Sequence, residues 1–142
     1  MKKALFKWTE LGNLMVGYST EGQIPDDVWR RFIHDLKTKS FTKYLGASVG
    51  YLEVTSIQRK QVAEALKGKS VSLAVVTDEK LVRGIVTAAS WLGINVKSFS
   101  WAEMNDAFNY LGVPSYLQGR ATDAIEELRR ECEEERRRTK GQ

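Results

Sequence analysis

The chain has 142 residues, 42% hydrophobic and 28% charged, which suits one domain able to bury roughly two-thirds of its unfolded surface. Its longest apolar run, Val71 to Val76, falls far short of the roughly 20 residues a bilayer crossing demands, and Met1-Lys2-Lys3 leads into a strand-like pattern, not a signal-peptide core. The one cysteine, Cys132, leaves no partner for an internal disulfide, and the net charge of +4 comes without a helix-turn-helix, RNP or zinc-finger pattern, so we expect a cytoplasmic chain with no cofactor, no metal and no nucleic-acid partner.

Ala4 to Trp8 and Leu14 to Ser19 are rich in β-formers and flank Thr9-Glu10-Leu11-Gly12-Asn13, which predicts an opening hairpin. Ile24-Pro25-Asp26-Asp27 starts a helix that carries Val28, Trp29, Phe32, Ile33 and Leu36 at helical spacing and ends near Lys39. Tyr44 to Gly50 reads as a strand, after which Thr55-Ser56-Ile57-Gln58 matches a capping box opening a helix through Leu66, stopped at Gly68. Val71 to Val76 is apolar almost throughout and reads as an interior strand covered on both faces. Thr77-Asp78-Glu79 then opens a helix bearing Leu81, Val82, Ile85, Val86, Ala89 and Leu92, stopped at Gly93. Ile94 to Phe99 is a last strand, and Ser100-Trp101-Ala102-Glu103 a second capping box whose helix ends at Leu111-Gly112. A final helix begins near Ser115. This order predicts an α/β fold with a mostly parallel sheet and an antiparallel edge.

Catalytic chemistry is hard to assemble from these residues. Gly68-Lys69-Ser70 imitates the end of a phosphate-binding loop, but it runs from helix into strand and has Ala63 where the first glycine belongs. His34, the single histidine, falls among Arg30, Arg31 and Lys37 on the polar side of its helix, and no nucleophile–base pair can be drawn. We therefore expect no enzyme. The informative positions are those where strands end and helices begin, because free N–H groups at helix starts favour anions there. Thr55 and Ser56 follow one strand, Thr77 and Asp78 the next, and Arg59 and Arg83 come within about one and a half helical turns. These six residues form a candidate binding or phosphorylation rim. Read simply as structure, the hydroxyls and Asp78 are caps and the arginines surface charges. Trp8, Trp29 and Trp91 are expected in core or half-buried places, with Trp101 partly exposed.

The stretch Val75-Val76-Thr77-Asp78-Glu79-Lys80-Leu81-Val82-Arg83-Gly84-Ile85-Val86-Thr87-Ala88-Ala89-Ser90-Trp91-Leu92-Gly93, with Val96-Lys97-Ser98-Phe99 and Ala107 to Gly112, resembles bacterial STAS, SpoIIAA-like proteins. Asp26-Asp27-Val28-Trp29 and Gln58-Arg59-Lys60 resemble earlier parts of that pattern, and the likeness spans roughly Lys3 to Val113. It implies a STAS-like sheet with packed helices and a non-enzymatic, protein-docking module of anti-sigma-factor antagonist type in bacterial signalling, switched by phosphate on Thr55 or Ser56. The family's Asp-Ser-Ser-Gly type signature is absent. Other STAS-like proteins bind nucleotides or lipids, so an anion, nucleotide or lipid sensor is the alternative.

We expect residues 1–113 to form one STAS-like domain and 114–142 a helical extension. There Ala121, Ile125, Leu128 and Cys132 make an apolar stripe, which is to cover the chain's own domain or to join a second copy as a homodimer. Glu126/Arg130, Glu133/Arg137 and Glu134/Arg138 are favourable i,i+4 pairs, and the distal turns are expected to project into solvent, with the last few residues loose.

Overall fold

Phe6–Leu11 (β1) and Leu14–Ser19 (β2) pair antiparallel, with Leu11 opposite Leu14. The turn between them is thus only Gly12 and Asn13, where Gly12 adopts φ 61°, a left-handed geometry that suits a two-residue hairpin. This corrects the expected strand of Ala4 to Trp8 and five-residue turn. Thr9 and Glu10 are the exposed residues of an edge strand, and their polarity imitates a loop. The structure is a computed structural model that describes residues 2–140.

A short strand Gly22–Gln23 (β3) precedes helix α1, Asp26–Thr38, which buries Trp29, Phe32, Ile33 and Leu36. Strand β4 is Lys43–Ser48, and Leu52–Glu53 (β5) pairs in parallel with β3 as a separate two-stranded sheet. Helix α2, Ser56–Ala65, leads to strand β6, Ser72–Val76, and helix α3, Lys80–Ser90, to strand β7, Val96–Phe99. A 3-10 turn, Trp101–Glu103, runs into α4, Met104–Leu111, and the chain closes with α5, Ser115–Lys140.

The main sheet has the order β1-β2-β4-β6-β7, parallel apart from the β1–β2 edge pair. This is the expected α/β fold with its antiparallel edge hairpin and C-terminal helix. Each parallel connection steps the same way along the sheet, and right-handed crossovers then place α1, α2 and α3 on one face. Side chains alternate along each strand. Met15, Tyr44 and Leu73 meet Trp29, Phe32 and Leu36 of α1 and Val62 of α2 on that face. Leu14, Val16, Leu45, Ala74 and Val76 meet Phe108 of α4 and Leu117, Ala121, Ile125 and Leu128 of α5 on the other.

The α5 stripe is therefore spent on the chain's own sheet, with Cys132 fully buried. The expected charge pairs do not form as written: Arg129 bonds Glu133, and Arg130 pairs with Glu127. Rotamer choice selects the nearer carboxylate, since i,i+3 and i,i+4 neighbours are almost equidistant on a helix. Glu135 also lies 3.6 Å from Lys7 of β1, and the helix continues to Lys140. Of the residues expected to be loose, Gly141 and Gln142 lie outside the described residues. Lys69 finds a plain use: its Nζ donates to the carbonyls of Leu36 and Lys37, 2.8 and 2.7 Å away, a cation capping the negative end of α1.

Candidate functional site

The two capping boxes read from the sequence are present. Thr55 Oγ1 accepts the Gln58 N–H at 3.1 Å while Gln58 Oε1 accepts the Thr55 N–H at 3.0 Å. Ser100 and Glu103 repeat the arrangement, the Ser100 N–H donating to Glu103 Oε1 at 2.8 Å. That bond holds the Glu103 carboxyl below its ordinary pKa.

The expected third cap is different. Helix α3 starts at Lys80, and its cap is Glu79, whose Oε1 accepts the Leu81 N–H. Thr77 is fully buried and its Oγ1 accepts the Glu79 N–H at 3.1 Å, a local turn that competes with capping. Asp78 accepts the N–H of Trp101 at 3.0 Å and so joins the β6–α3 loop to the 3-10 turn.

The two arginines do not converge. Arg59 Nη1 donates to Val54 O at 2.7 Å, within its own strand–helix loop. Arg83 Nε donates to Ser98 Oγ at 3.3 Å, towards β7. Thr55, Ser56 and Arg59 are thus one group and Thr77, Asp78 and Arg83 another. Ser56 is exposed and Thr55 half-buried. Trp91, expected in a core or half-buried place, is 80% exposed, because α3 ends at Ser90 and the turn carries the ring outward.

What sequence reasoning missed lies beneath Arg59. A cavity of about 140 Å³ sits between the sheet and α1, α2 and α3, with Tyr44, Gly46 and Ser48 of β4 and Leu73 and Val75 of β6 along its floor. Trp29 and Phe32 of α1, Arg59 and Val62 of α2, and Val82, Ile85 and Val86 of α3 close it. The floor is set by two glycines. A Cβ at Gly46 would lie 2.7 Å from Tyr44 Cε1, and one at Gly17 2.4 Å from Tyr44 Oη, so the Tyr44 ring lies along the sheet over both positions. Because α2 leans on α1 far more than on α3, a gap remains above that ring. Leu52, Val54, Arg59 and Ile85 of the wall are half-buried, which puts the entrance beside the Thr55 cap.

The accessible lining is almost wholly carbon. Among the described residues, Trp29 Nε1 and Ser48 Oγ are buried side-chain atoms without a hydrogen-bond partner. The other buried or half-buried indoles are satisfied: Trp8 Nε1 donates to Asp35 Oδ2 at 2.8 Å and Trp101 Nε1 to Ser48 O at 3.0 Å. Burial pushes the Tyr44 hydroxyl far above its ordinary pKa, so it stays neutral. Leaving a buried donor unpaired costs roughly 1 to 3 kcal/mol; both atoms are shut off from the accessible surface of the cavity, which is almost all carbon and suits an apolar occupant.

The cavity lies under the crossover helices and opens beside the Thr55 loop, towards the carboxyl ends of the strands, where open α/β sheets commonly take ligands. Among the described residues no His, Cys, Asp and Glu cluster is placed to hold a metal, and no helix is long and apolar enough to cross a membrane. No known protein-family profile matches the chain, and no curated protein matches its sequence at a significant level.

Proposed function

We propose that this chain is a non-enzymatic regulatory binding module of STAS-like type, of the kind used in bacterial signalling, in which a small ligand in the cavity sets the state of the rim around Thr55. The carrying observation is the apolar cavity of about 140 Å³ between the sheet and α1, α2 and α3, whose wall includes Trp29, Val54 and Arg59. The sequence alone favours protein docking over ligand sensing. The geometry supports the opposite order, because Arg59 and Val54 belong both to the cavity wall and to the loop that carries the cap. An occupant touching that wall therefore touches the segment that a partner would read.

The test follows the four indole N–H resonances of the full chain, with Trp29 assigned by its loss in Trp29→Phe, while a panel of benzene-sized molecules is titrated. Saturable movement of the Trp29 signal by at least one of them, with movement of the amides of residues 49–59, supports the reading. A Trp29 signal that no member of the panel moves contradicts it.

Docking of a protein partner keeps one specific observation in its favour. Val49, Tyr51 and Ile57 are exposed large apolar side chains within nine residues of chain that also hold the exposed Ser56. Phosphate on Ser56 would sit at the positive end of α2, a placement that favours the added charge. Under this reading Ser56→Glu changes the binding of a partner without lowering the melting midpoint, and a partner bound equally by both forms removes the phosphoswitch.

A further inference from the structure

The two ends of the sheet differ in charge. Strands β2, β4, β6 and β7 run the same way, so the connections that enter them, from the hairpin turn and from α1, α2 and α3, all lie at the amino edge. Side chains stitch these connections together: Asn13 Nδ2 donates to Thr42 Oγ1 at 3.0 Å, Asn95 Nδ2 to Ser72 Oγ at 3.0 Å, and the Tyr110 hydroxyl to Asn95 Oδ1 at 2.9 Å. Lys69 reaches the end of α1, and Lys43 Nζ donates to Gly112 O at 2.7 Å, which brings the start of α5 to the same edge.

Within two residues of these connections stand Lys37, Lys39, Lys43, Lys67, Lys69 and Lys97, against the carboxylates of Glu10 and Glu64. Six lysines against two acids is a surplus equal to the net +4 of the whole chain, so the remainder of the molecule is balanced. Lys39 lies 4.0 Å from Glu10, while Lys37 and Lys67 have no ion-pair partner among the described residues. Asp26, Asp27, Glu53, Asp78, Glu79 and Glu103 mark the opposite, carboxyl edge.

The basic edge also presents large apolar side chains. Trp91 and Leu92 make the turn between α3 and β7, and Tyr116 stands in the first turn of α5. Trp91 and Tyr116 are each 80% exposed and Leu92 45%, and none of the three lines the cavity under the crossover helices. Rings with one polar tip favour the headgroup level of a bilayer, where lysine heads meet lipid phosphate and their stems lie along apolar surface.

We propose that the amino edge is a docking surface for a membrane rich in anionic phospholipid, with Trp91 and Leu92 entering the headgroup boundary and Lys37 and Lys67 facing lipid phosphates. Charge complementarity selects the anionic surface, and the aliphatic Leu92 beside Trp91 favours lipid over nucleic acid, since it offers a base nothing to stack on. Docked in this way, the chain keeps its carboxyl edge and the Thr55 loop turned away from the lipid. The docking does not depend on the cavity being filled.

Sedimentation of the full chain with phosphatidylcholine vesicles, with and without phosphatidylglycerol, tests the proposal. The chain binds the mixed vesicles, more weakly as salt rises, and leaves pure phosphatidylcholine in the supernatant. Each lysine near an anionic surface is worth about fivefold in affinity, so Lys37→Gln combined with Lys67→Gln lowers binding about 25-fold. Trp91→Ser lowers it about tenfold and removes the blue shift of tryptophan emission that accompanies binding. All three positions are exposed, so these variants melt with the parent. Arg137→Gln combined with Arg138→Gln removes the same charge at the far end of α5, which lies beyond a Debye length of about 10 Å from the amino edge, and leaves binding unchanged. No binding to the mixed vesicles, equal binding to both lipid compositions, or equal losses in the two double variants would overturn the proposal. So would a single-stranded DNA that binds more tightly than the mixed vesicles and is lost in Trp91→Ser, an outcome that assigns the edge to nucleic acid.

Discussion

Ile125 is 1% exposed and packs in the cluster that includes Leu14, Val16 and Leu45 of the sheet, so Ile125→Ala measures how firmly α5 is docked. The change deletes three buried carbons, worth about 0.8 kcal/mol each, or about 2.4 kcal/mol of transfer free energy. Incomplete collapse of the hole adds to this, and measured truncations of this kind span about 2 to 5 kcal/mol. We expect a loss of about 3 kcal/mol. With a urea m-value near ~1.5 kcal/mol/M, the midpoint falls by about 2 M. The neighbouring Glu126 is exposed, and Glu126→Ala should stay within about 0.5 kcal/mol of the parent. Urea unfolding followed by far-UV circular dichroism and by tryptophan fluorescence gives both numbers. An Ile125→Ala midpoint as close to the parent as that of Glu126→Ala would refute docking of α5 on its own sheet, and with it the assignment of one shared core.

Three further outcomes are expected. Thr55→Ala removes one half of a capping box whose bonds measure 3.1 and 3.0 Å and lowers stability by about 1 kcal/mol; an unchanged urea midpoint would contradict this. The Cys132 thiol is pushed up to about 11 by burial, so alkylation by iodoacetamide at pH 8 should be slow in the native chain and fast in denaturant, and rapid native labelling would show that the distal half of α5 opens. Glu103 has a folded pKa held below the ordinary 4.5 chiefly by the Ser100 N–H; its contribution is present above pH 4.5 and is lost as pH falls through the lower folded value. Glu103→Gln should therefore show a shallower loss of stability on acidification, and parallel curves for the two proteins would sink the assignment.

Much of the fold was legible because its signals are local. The Thr55 and Ser100 boxes need only residues three apart, and the α5 stripe needs only helical period. The interior placement of β6 follows from an apolar run, although Ser72 and Val75 are half-buried, and Val75 is so because it faces the cavity. What stayed hidden depends on elements far apart in sequence. Strands β3 and β5 have two residues each, too few for any periodicity. Thr77 looked like a cap because a hydroxyl a few residues before a helix resembles one, and only the fold shows it buried. Arg59 and Arg83 look equivalent by spacing, yet one turns to Val54 and the other to Ser98.

The cavity was the least visible feature. Trp29 was rightly read as buried, but whether an indole N–H finds a partner is decided by its neighbours in three dimensions. A sequence signal did exist in hindsight. Gly17 and Gly46, register partners on adjacent strands, are glycines inside strands, which often mark a place where another group approaches closely. Here that group is Tyr44, whose ring takes the space of two side chains. Filling the gap above it, for instance with Ala89→Leu, should raise the stability of the free chain while excluding any ligand.

The central claim is that occupancy of the cavity is read at the rim, and hydrogen exchange of the full chain with and without a saturating panel molecule that moves the Trp29 indole signal tests this most directly. The account predicts slower exchange on occupancy at residues 49–59 and at the start of α3, with α4 and α5, on the far side of the sheet, unchanged. A panel molecule that binds, moves the Trp29 indole signal and yet leaves the exchange of residues 49–59 unaltered would contradict the account.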